Sequence, residues 1–304
     1  MSEPGVGHKL PTRKVSWLKR DVLLFNLSVG CKADESHFVY ENDPKFSPFP
    51  TLALGLNFKL DAEEVIDFYA TQSSLEIPGV PSLNPERLVD GDRTIQIVKQ
   101  LPTTSAGREF EFRSTVLGVY DKGRAGTVVR IEDLLVDATS GDVYTRIVGS
   151  LFYVGQGGWG GPRGPPATRN PPPEQKPDWV LEIETSEQAA HLYRLNGDYN
   201  PLHADPSVGK SMGYGGVIMH GVVAYNMISH EVTKVIGGGH AESLREVSAK
   251  FSGPVMPGDT LTVSLWRSGE VDADGYSNLT WVAQVKGQDK PCLTEGKVLV
   301  KVHS

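Results

Sequence analysis

A chain of 304 residues has room for one large domain or two of ordinary size, and its 39% hydrophobic and 22% charged residues suit a globular protein. A formal net charge of −7 lacks the basic excess that non-specific nucleic-acid binding needs, although a local basic patch could still meet phosphates. No apolar run approaches the ~18 residues of a membrane span.

The start, Met1-Ser2-Glu3-Pro4-Gly5, is not followed by the apolar stretch of a signal peptide. Cys31 and Cys292 supply neither a disulfide framework nor a Cys-x-x-Cys metal site, and both read as small packing residues. Arg20 to Gly30, carrying Val22, Leu23, Leu24, Phe25 and Leu27, predicts a short apolar helix ending at a glycine. A small strand pattern (His37 to Tyr40), a Pro-containing loop (Pro44 to Pro50) and a second apolar helix (Thr51 to Phe58) follow. A short helix is expected over Glu63 to Thr71, then a loop over Ser74 to Arg87. From Thr94 to Val148 the pattern turns to β: Thr94–Val98, Glu109–Phe112, Ser114–Leu117, Gly126–Ile131 and Val143–Val148 alternate or are β-branched. Turn residues separate them, which predicts an antiparallel sheet.

Residues 155 to 177 are Gly-rich and then Pro-rich, with almost nothing to bury, and read as a linker. No Gly-x-Gly-x-x-Gly opens a helix there, so a nucleotide-binding reading fails. Trp179 to Ile183 is a strand, and Thr185-Ser186-Glu187-Gln188 has the spacing of a capping box for a helix to Leu195. A long apolar helix is expected over Val222 to Ile236, with closing strands over Thr260–Arg267, Leu279–Lys286 and Lys297–Val302.

Chemistry concentrates between those elements. Gly197-Asp198-Tyr199-Asn200-Pro201-Leu202-His203 puts a carboxylate, an amide and an imidazole into six residues. Pro201 cannot continue a helix and pushes Asn200 out of the α region, so the three side chains belong to a constrained loop. Together they can hold and activate one water molecule. Met219-His220-Gly221 then opens the long helix, whose first amides would face a developing negative charge. Singly, Asp198 would pass for a turn residue and His203 for a core histidine; together with Asn200 and His220-Gly221 they read as a site. The spacing of Asp198, His203 and Asp205 does not place three metal ligands on one helix face or ribbon, so no metal is expected. Arg194 is a candidate for a salt bridge or a phosphate contact. Tyr214, Gly216 and Trp159 are candidates for the wall of a pocket. His191, His230 and His240 read as solvated or packing residues.

This stretch resembles the signature of the MaoC-like hydratases, the (R)-specific or type 2 enoyl-CoA hydratases: Gly-Asp-x-Asn-Pro-Leu-His, then an apolar pair followed by His-Gly. The resemblance implies an α+β double hot-dog, two modules that each wrap an antiparallel sheet around a long helix. Residues 1–154 would form a degenerate module that has lost its site and helps to form the acyl-chain pocket. Residues 178–304 would be the catalytic module. In keeping with two diverged copies, the helix, Pro/Gly loop and helix of the first half recur between Ala189 and Ile236, with Lys32, Asp34 and His37 where the second copy has Asp198, Asn200 and His203. The pattern departs at Asp90-Gly91-Asp92-Arg93, where members usually carry a His-Gly-Glu-Gln type of sequence.

The resemblance further implies that Asp198 and His203 are the catalytic pair, that Asn200 positions the water and that the Gly221 amide completes an oxyanion hole. Arg194, Tyr214, Gly216 and His220 would contact substrate. The substrate would be an enoyl thioester of coenzyme A, with no cofactor, no nucleic acid and no membrane span, and with a homodimer compatible. A specialised, polyketide-type dehydratase and a non-catalytic acyl-CoA-binding protein are the alternatives. The family points to the peroxisome; Lys301-Val302-His303-Ser304 is no Ser-Lys-Leu address, which leaves the cytoplasm open.

Overall fold

The computed structural model describes residues 3–166 and 171–303; the part of the linker between them lies outside the described residues. Ten strands run β1 (Arg13–Val15), β2 (Leu88–Ile97), β3 (Phe110–Asp121), β4 (Gly126–Asp137), β5 (Val143–Val154), β6 (Trp179–Glu184), β7 (Leu244–Phe251), β8 (Thr260–Arg267), β9 (Tyr276–Val285) and β10 (Pro291–Lys301). They form one antiparallel sheet in the order β1-β3-β4-β5-β2-β7-β10-β9-β8-β6. The two halves of the chain meet at its centre, where β2 pairs with β7 from Asp92↔Lys250 to Gln96↔Glu246. Gln96 Nε2 donates to Glu246 Oε2 across that seam at 2.6 Å.

The helices are α1 (Lys19–Ser28), α2 (Ser36–Val39), α3 (Ala53–Lys59), α4 (Phe68–Thr71), α5 (Ala189–Tyr193), α6 (Pro206–Ser211) and α7 (Gly221–Val235). Val222 to His230 is buried without a break in α7, which is how a helix that is apolar all round behaves. The helix packs against β6 and β7, and its side chains share one core with residues of both halves.

The first half departs from the expected long helix. Its longest helix is the ten-residue α1, because Gly30 ends it and the Pro44 to Pro50 loop prevents continuation. His37 to Tyr40 is not a strand: Ser36–Val39 is a single helical turn, and four apolar-alternating residues without a partner strand cannot hold an extended conformation. Only Phe68–Thr71 of the expected Glu63–Thr71 helix forms. The two short runs around Arg113 are one strand, β3, and β7 is a further strand outside the runs expected from the sequence. The Thr185–Gln188 capping box does not form either. Thr185 Oγ1 instead donates to the Asp259 carbonyl at 2.8 Å, and α5 starts only at Ala189.

Of Lys32, Asp34 and His37, the last two grip the far end of α7. His37 Nε2 donates to the Gly239 carbonyl at 2.9 Å. Lys234 Nζ lies 3.3 Å from Asp34. Next to them the buried Glu35 meets His230 Nε2 at 2.9 Å. Burial by itself would raise the Glu35 carboxyl, but the hydrogen bond and charge of His230, the Lys32 amide and Lys234 hold it down at about 2. A carboxyl depressed in the folded state gives stability above its unfolded value near 4.5, and that stability is lost as the pH falls towards 2. Glu35→Gln is therefore expected to lower the melting temperature at pH 7 by several degrees, the effect of roughly 2 kcal/mol. It should also flatten the loss of stability between pH 5 and 2, as read by calorimetry.

In the linker region, Asp121 on β3 organises the glycines: its carboxylate accepts from the amides of Gly123, Gly158 and Gly160 at 2.7–2.8 Å. Trp159 is no pocket wall. Its ring lies against a small core of Ile77, Leu83, Val116 and Val119, and Nε1 donates to Thr127 Oγ1 at 3.0 Å.

Candidate active site

The loop between α5 and α6 is bent by Gly197 and Pro201. Gly197 has φ +113°, and a Cβ there would lie 2.3 Å from the Lys59 amide nitrogen at the end of α3, so only glycine fits. Just before it, Asn196 Nδ2 donates to Ser28 Oγ of α1 at 3.0 Å and to the Tyr193 carbonyl at 2.9 Å. A loop of the second half is thus seated on two helices of the first.

Beyond the glycine, Asp198 Oδ1 accepts from the Asn200 amide at 3.3 Å. Asn200 spends its own Oδ1 on the Leu202 amide at 3.0 Å, capping the helical turn Pro201–His203. Its Nδ2 has no protein partner among the described residues. The turn swings His203 inwards, where Nδ1 donates to the Ile218 carbonyl at 2.9 Å. This fixes the tautomer and leaves Nε2 with a free lone pair.

His220 lies over His203, with ring centroids 3.6 Å apart and planes at 25°. Its Nε2 donates to the Asp198 carbonyl at 3.1 Å and stands 3.9 Å from Asp198 Oδ2; its Nδ1 is buried without a partner among the described residues. His220 therefore braces the loop. Donor atoms of Asp198, His203 and His220 all lie within 4.8 Å of one another, close enough to share one small guest.

Burial sets the protonation. Asp198 is pushed up to about 7, first by burial, against the Asn200 amide and aided by the charge of Asp90. His203 is pushed down to about 4, again chiefly by burial, and His220 lies well below the ordinary histidine value for the same reason. Near neutrality both imidazoles are uncharged while Asp198 is about half protonated, which is where an acid and a base must be poised.

Gly221 begins α7 directly after His220, which has φ −58° and ψ 135° and offers no side-chain cap. The Gly221 and Val222 amides take no hydrogen bond among the described residues, so they are free to meet an anion. A Cβ at Gly221 would lie 2.9 Å from the Phe251 ring, so glycine lets the helix start close against β7.

The remaining candidates are spread out. Arg194 lays its guanidinium over the Tyr199 ring at 5.1 Å, with its Nε buried and without a partner among the described residues. Tyr214 and Gly216 lie on the loop after α6, where Tyr214 N donates to the Gly209 carbonyl at 2.9 Å, and the Tyr214 hydroxyl makes no hydrogen bond to the Asp198–His203 loop among the described residues. A cavity of about 280 Å³ lined by Trp17, Arg20, Lys59 and Arg108 contains neither Asp198 nor His203. A smaller one shares Asp21 and Lys59 with it and extends to Leu195 and Asn196.

Sequence reasoning missed three contributors. Tyr193, 1% exposed, packs its ring 5.2 Å from His220 and accepts from Asn226 Nδ2 of α7 at 3.2 Å. The Ile218 carbonyl sets the His203 tautomer. The charge of Asp90 on β2 adds to the elevation of Asp198, and the sequence marks that segment only by its departure from the family pattern at Asp90–Arg93.

Such a fold and site define a class: a double hot-dog whose second half buries a carboxyl and two imidazoles beside the open N-terminus of its long helix. Residues 16–155 match the MFE-2 hydratase 2 N-terminal domain and residues 168–286 match the MaoC like domain. A probable dehydratase, NIT22, of Ajellomyces capsulatus is 44% identical over 95% of this chain and 79% of its own length. A probable enoyl-CoA hydratase 2 of Dictyostelium discoideum is 30% identical over 86% of this chain and 85% of its own. Among solved structures, a MaoC-like dehydratase from Phytophthora capsici superposes with a TM-score of 0.83 at 27% identity, covering 97% of this chain and 96% of that one. A Mycobacterium tuberculosis protein with a double hotdog fold matches in fold, with a TM-score of 0.54 at 14% identity. The chain belongs to the MaoC-like, hydratase 2 family of α+β double hot-dog proteins.

Proposed function

We propose that the protein is a hydro-lyase that adds water reversibly across the 2,3 double bond of a trans-2-enoyl-CoA, giving the (R)-3-hydroxyacyl-CoA. The observation that carries this reading is the buried pair of Asp198 and His203, with neutral imidazole and poised carboxyl, beside the free amides at the start of α7. Membership in the hydratase 2 family supports it.

Conjugation with the thioester makes C3 electrophilic. A water between the pair gives its proton to His203 Nε2 as its oxygen attacks C3. Negative charge moves to the thioester oxygen, where the Gly221 amide would stabilise it by about 3 kcal/mol. Protonated Asp198 delivers a proton to C2, so oxygen and hydrogen add from the same side. The proton on His203 then returns to Asp198 through the next water, and dehydration runs these steps backwards. Asn200 Nδ2 is the group free to steady the water. Lys59, Arg20 and Arg108 around the 280 Å³ cavity suit the phosphates of coenzyme A. Pairing of the two halves within one chain already supplies the partner that a single hot-dog module needs, and a dimer of such chains is compatible. A peroxisomal or cytosolic compartment goes with this chemistry; among the described residues no helix is long and apolar enough to cross a membrane.

The test is loss of the conjugated enoyl-thioester absorbance with trans-2-enoyl-CoAs of several chain lengths, followed across pH. Hydration needs His203 neutral and Asp198 protonated. kcat/KM should therefore rise through a pH near 4 and fall through a pH near 7. Inertness towards every chain length would sink the general hydratase. The relative named a dehydratase favours a second reading, a dehydratase acting on a specialised 3-hydroxyacyl thioester, which gain of the same absorbance from such substrates would reveal.

A further inference from the structure

The first half of the chain sends a carboxylate of its own towards this site. Pairing between β2 and β5 slips by one residue between Asp90 and Asp92, and a bulge of this kind re-aims the side chain beside it. Arg93, whose side chain is 7% exposed, holds Asp90 Oδ1 through Nη2 at 2.6 Å. β5 makes room for that guanidinium with Gly149, where a Cβ would stand 2.8 Å from Arg93 Nη1. A buried arginine, a bulge and a close-approach glycine therefore fix one carboxylate, which keeps 29% of its own surface open.

The register says where it points. β2 and β7 pair as far as Asp92↔Lys250, so the next step places Gly91 beside Phe251. The Phe251 ring is the group that crowds Gly221 at the start of α7. Asp90 thus sits at the end of β2 that meets the N-terminus of α7, where its charge acts on Asp198 and His203. Its charge acts on Arg93 and, in the second half, on Tyr193, Asp198 and His203; Arg93 is further flanked by Asp92 of β2, Asp133 of β4 and Tyr225 of α7, and His220 by His203 and Arg194.

We propose that Asp90, pinned by Arg93, is a positioning residue of the hydration site, contributed by the first half and acting through Asp198. The proposal rests on the hydratase reading for its catalytic consequence, not for its structural one. A fixed negative charge near Asp198 opposes ionisation of that carboxyl and keeps its proton in place for delivery. The Asp90 charge is felt at Asp198, at His203 and at Tyr193 alike. The module that has lost the signature residues then still shapes the chemistry.

The experiment follows the Asp198 carboxyl directly in the full-length chain by 13C NMR of labelled aspartate, its resonance assigned by its loss in Asp198→Asn. Asp90→Asn and Asp90→Thr are made together, since either folded variant decides. The Asp198 midpoint should fall by at least about half a pH unit, because removing a like charge eases ionisation. The alkaline limb of kcat/KM should move down with it, and Asp90→Glu should restore both. An unchanged Asp198 midpoint in a folded variant overturns the proposal. A shifted midpoint in a protein whose wild type hydrates no enoyl thioester would sink the hydratase reading and leave the coupling of Asp90 to Asp198 standing.

Discussion

Asp198→Asn is expected to lower kcat/KM for trans-2-enoyl-CoA by about 10³-fold, within the range for loss of a positioned acid–base group. The substitution is isosteric, and the Asn200 amide can still donate to the amide oxygen that replaces Oδ1. The carbonyl of residue 198, held by His220, is untouched. Geometry survives, and only the transferable proton is lost. Stability should move the other way. A carboxyl raised to about 7 on folding binds its proton more tightly in the folded state than in the unfolded one. It therefore imposes no cost below its unfolded value near 4 and its full cost above about 7. Asparagine carries no such cost, so the variant should melt a few degrees higher than the wild type at pH 8 and equally at pH 4. Calorimetry at those two pH values, beside the absorbance assay, checks both parts. A variant that is inactive and also less stable at pH 8 would point to a collapsed loop instead of a missing proton.

The second large effect lies at the start of α7. Gly221→Pro should cost a further 10²-fold or more in kcat beyond Gly221→Ala, with little additional change in KM. Proline suits the first position of a helix, and His220, at φ −58° and ψ 135°, already has the backbone that a following proline demands. The exchange therefore deletes one amide donor without disturbing the helix. Alanine is the necessary control, because any Cβ at 221 meets the Phe251 ring at 2.9 Å and the helix must shift slightly to admit it. Equal kcat values for the two variants would remove the Gly221 amide from the mechanism and leave the Val222 amide as the donor to test.

The candidate site was legible because its chemistry is local. Asp198, Asn200, Pro201 and His203 are close in sequence, and the bend that brings them together is dictated by Gly197 and Pro201, whose backbone restrictions hold in any context. His220-Gly221 was legible for a related reason: a glycine that opens a long apolar helix marks free amides wherever that helix is placed. The strands β8 and β9 and the helix α7 likewise follow from period and length, since each buries a face long enough to outweigh local ambiguity.

What sequence could not decide were matters of pairing. His37 to Tyr40 alternates like a strand, yet with no partner strand beside it the segment coils into a helical turn that brings His37 to α7. Thr185 is spaced for a cap, but an Asp259 carbonyl brought over from the turn before β8 offers it a better acceptor. Asp90 to Arg93 read in the sequence only as a departure from the family pattern, and it is the pairing of β2 with β7, from Asp92↔Lys250 onwards, that brings this segment against the second half. Sequence by itself determined the family, the bend of the candidate loop and the class of chemistry, because these rest on residues whose conformational demands are met within a few positions. Tertiary structure alone decided how that loop is seated on α1 and α3, which tautomer His203 adopts and which carboxyl keeps its proton. Those properties depend on burial and on partners more than a hundred residues away, such as Ser28 and Asp90, which no local pattern encodes.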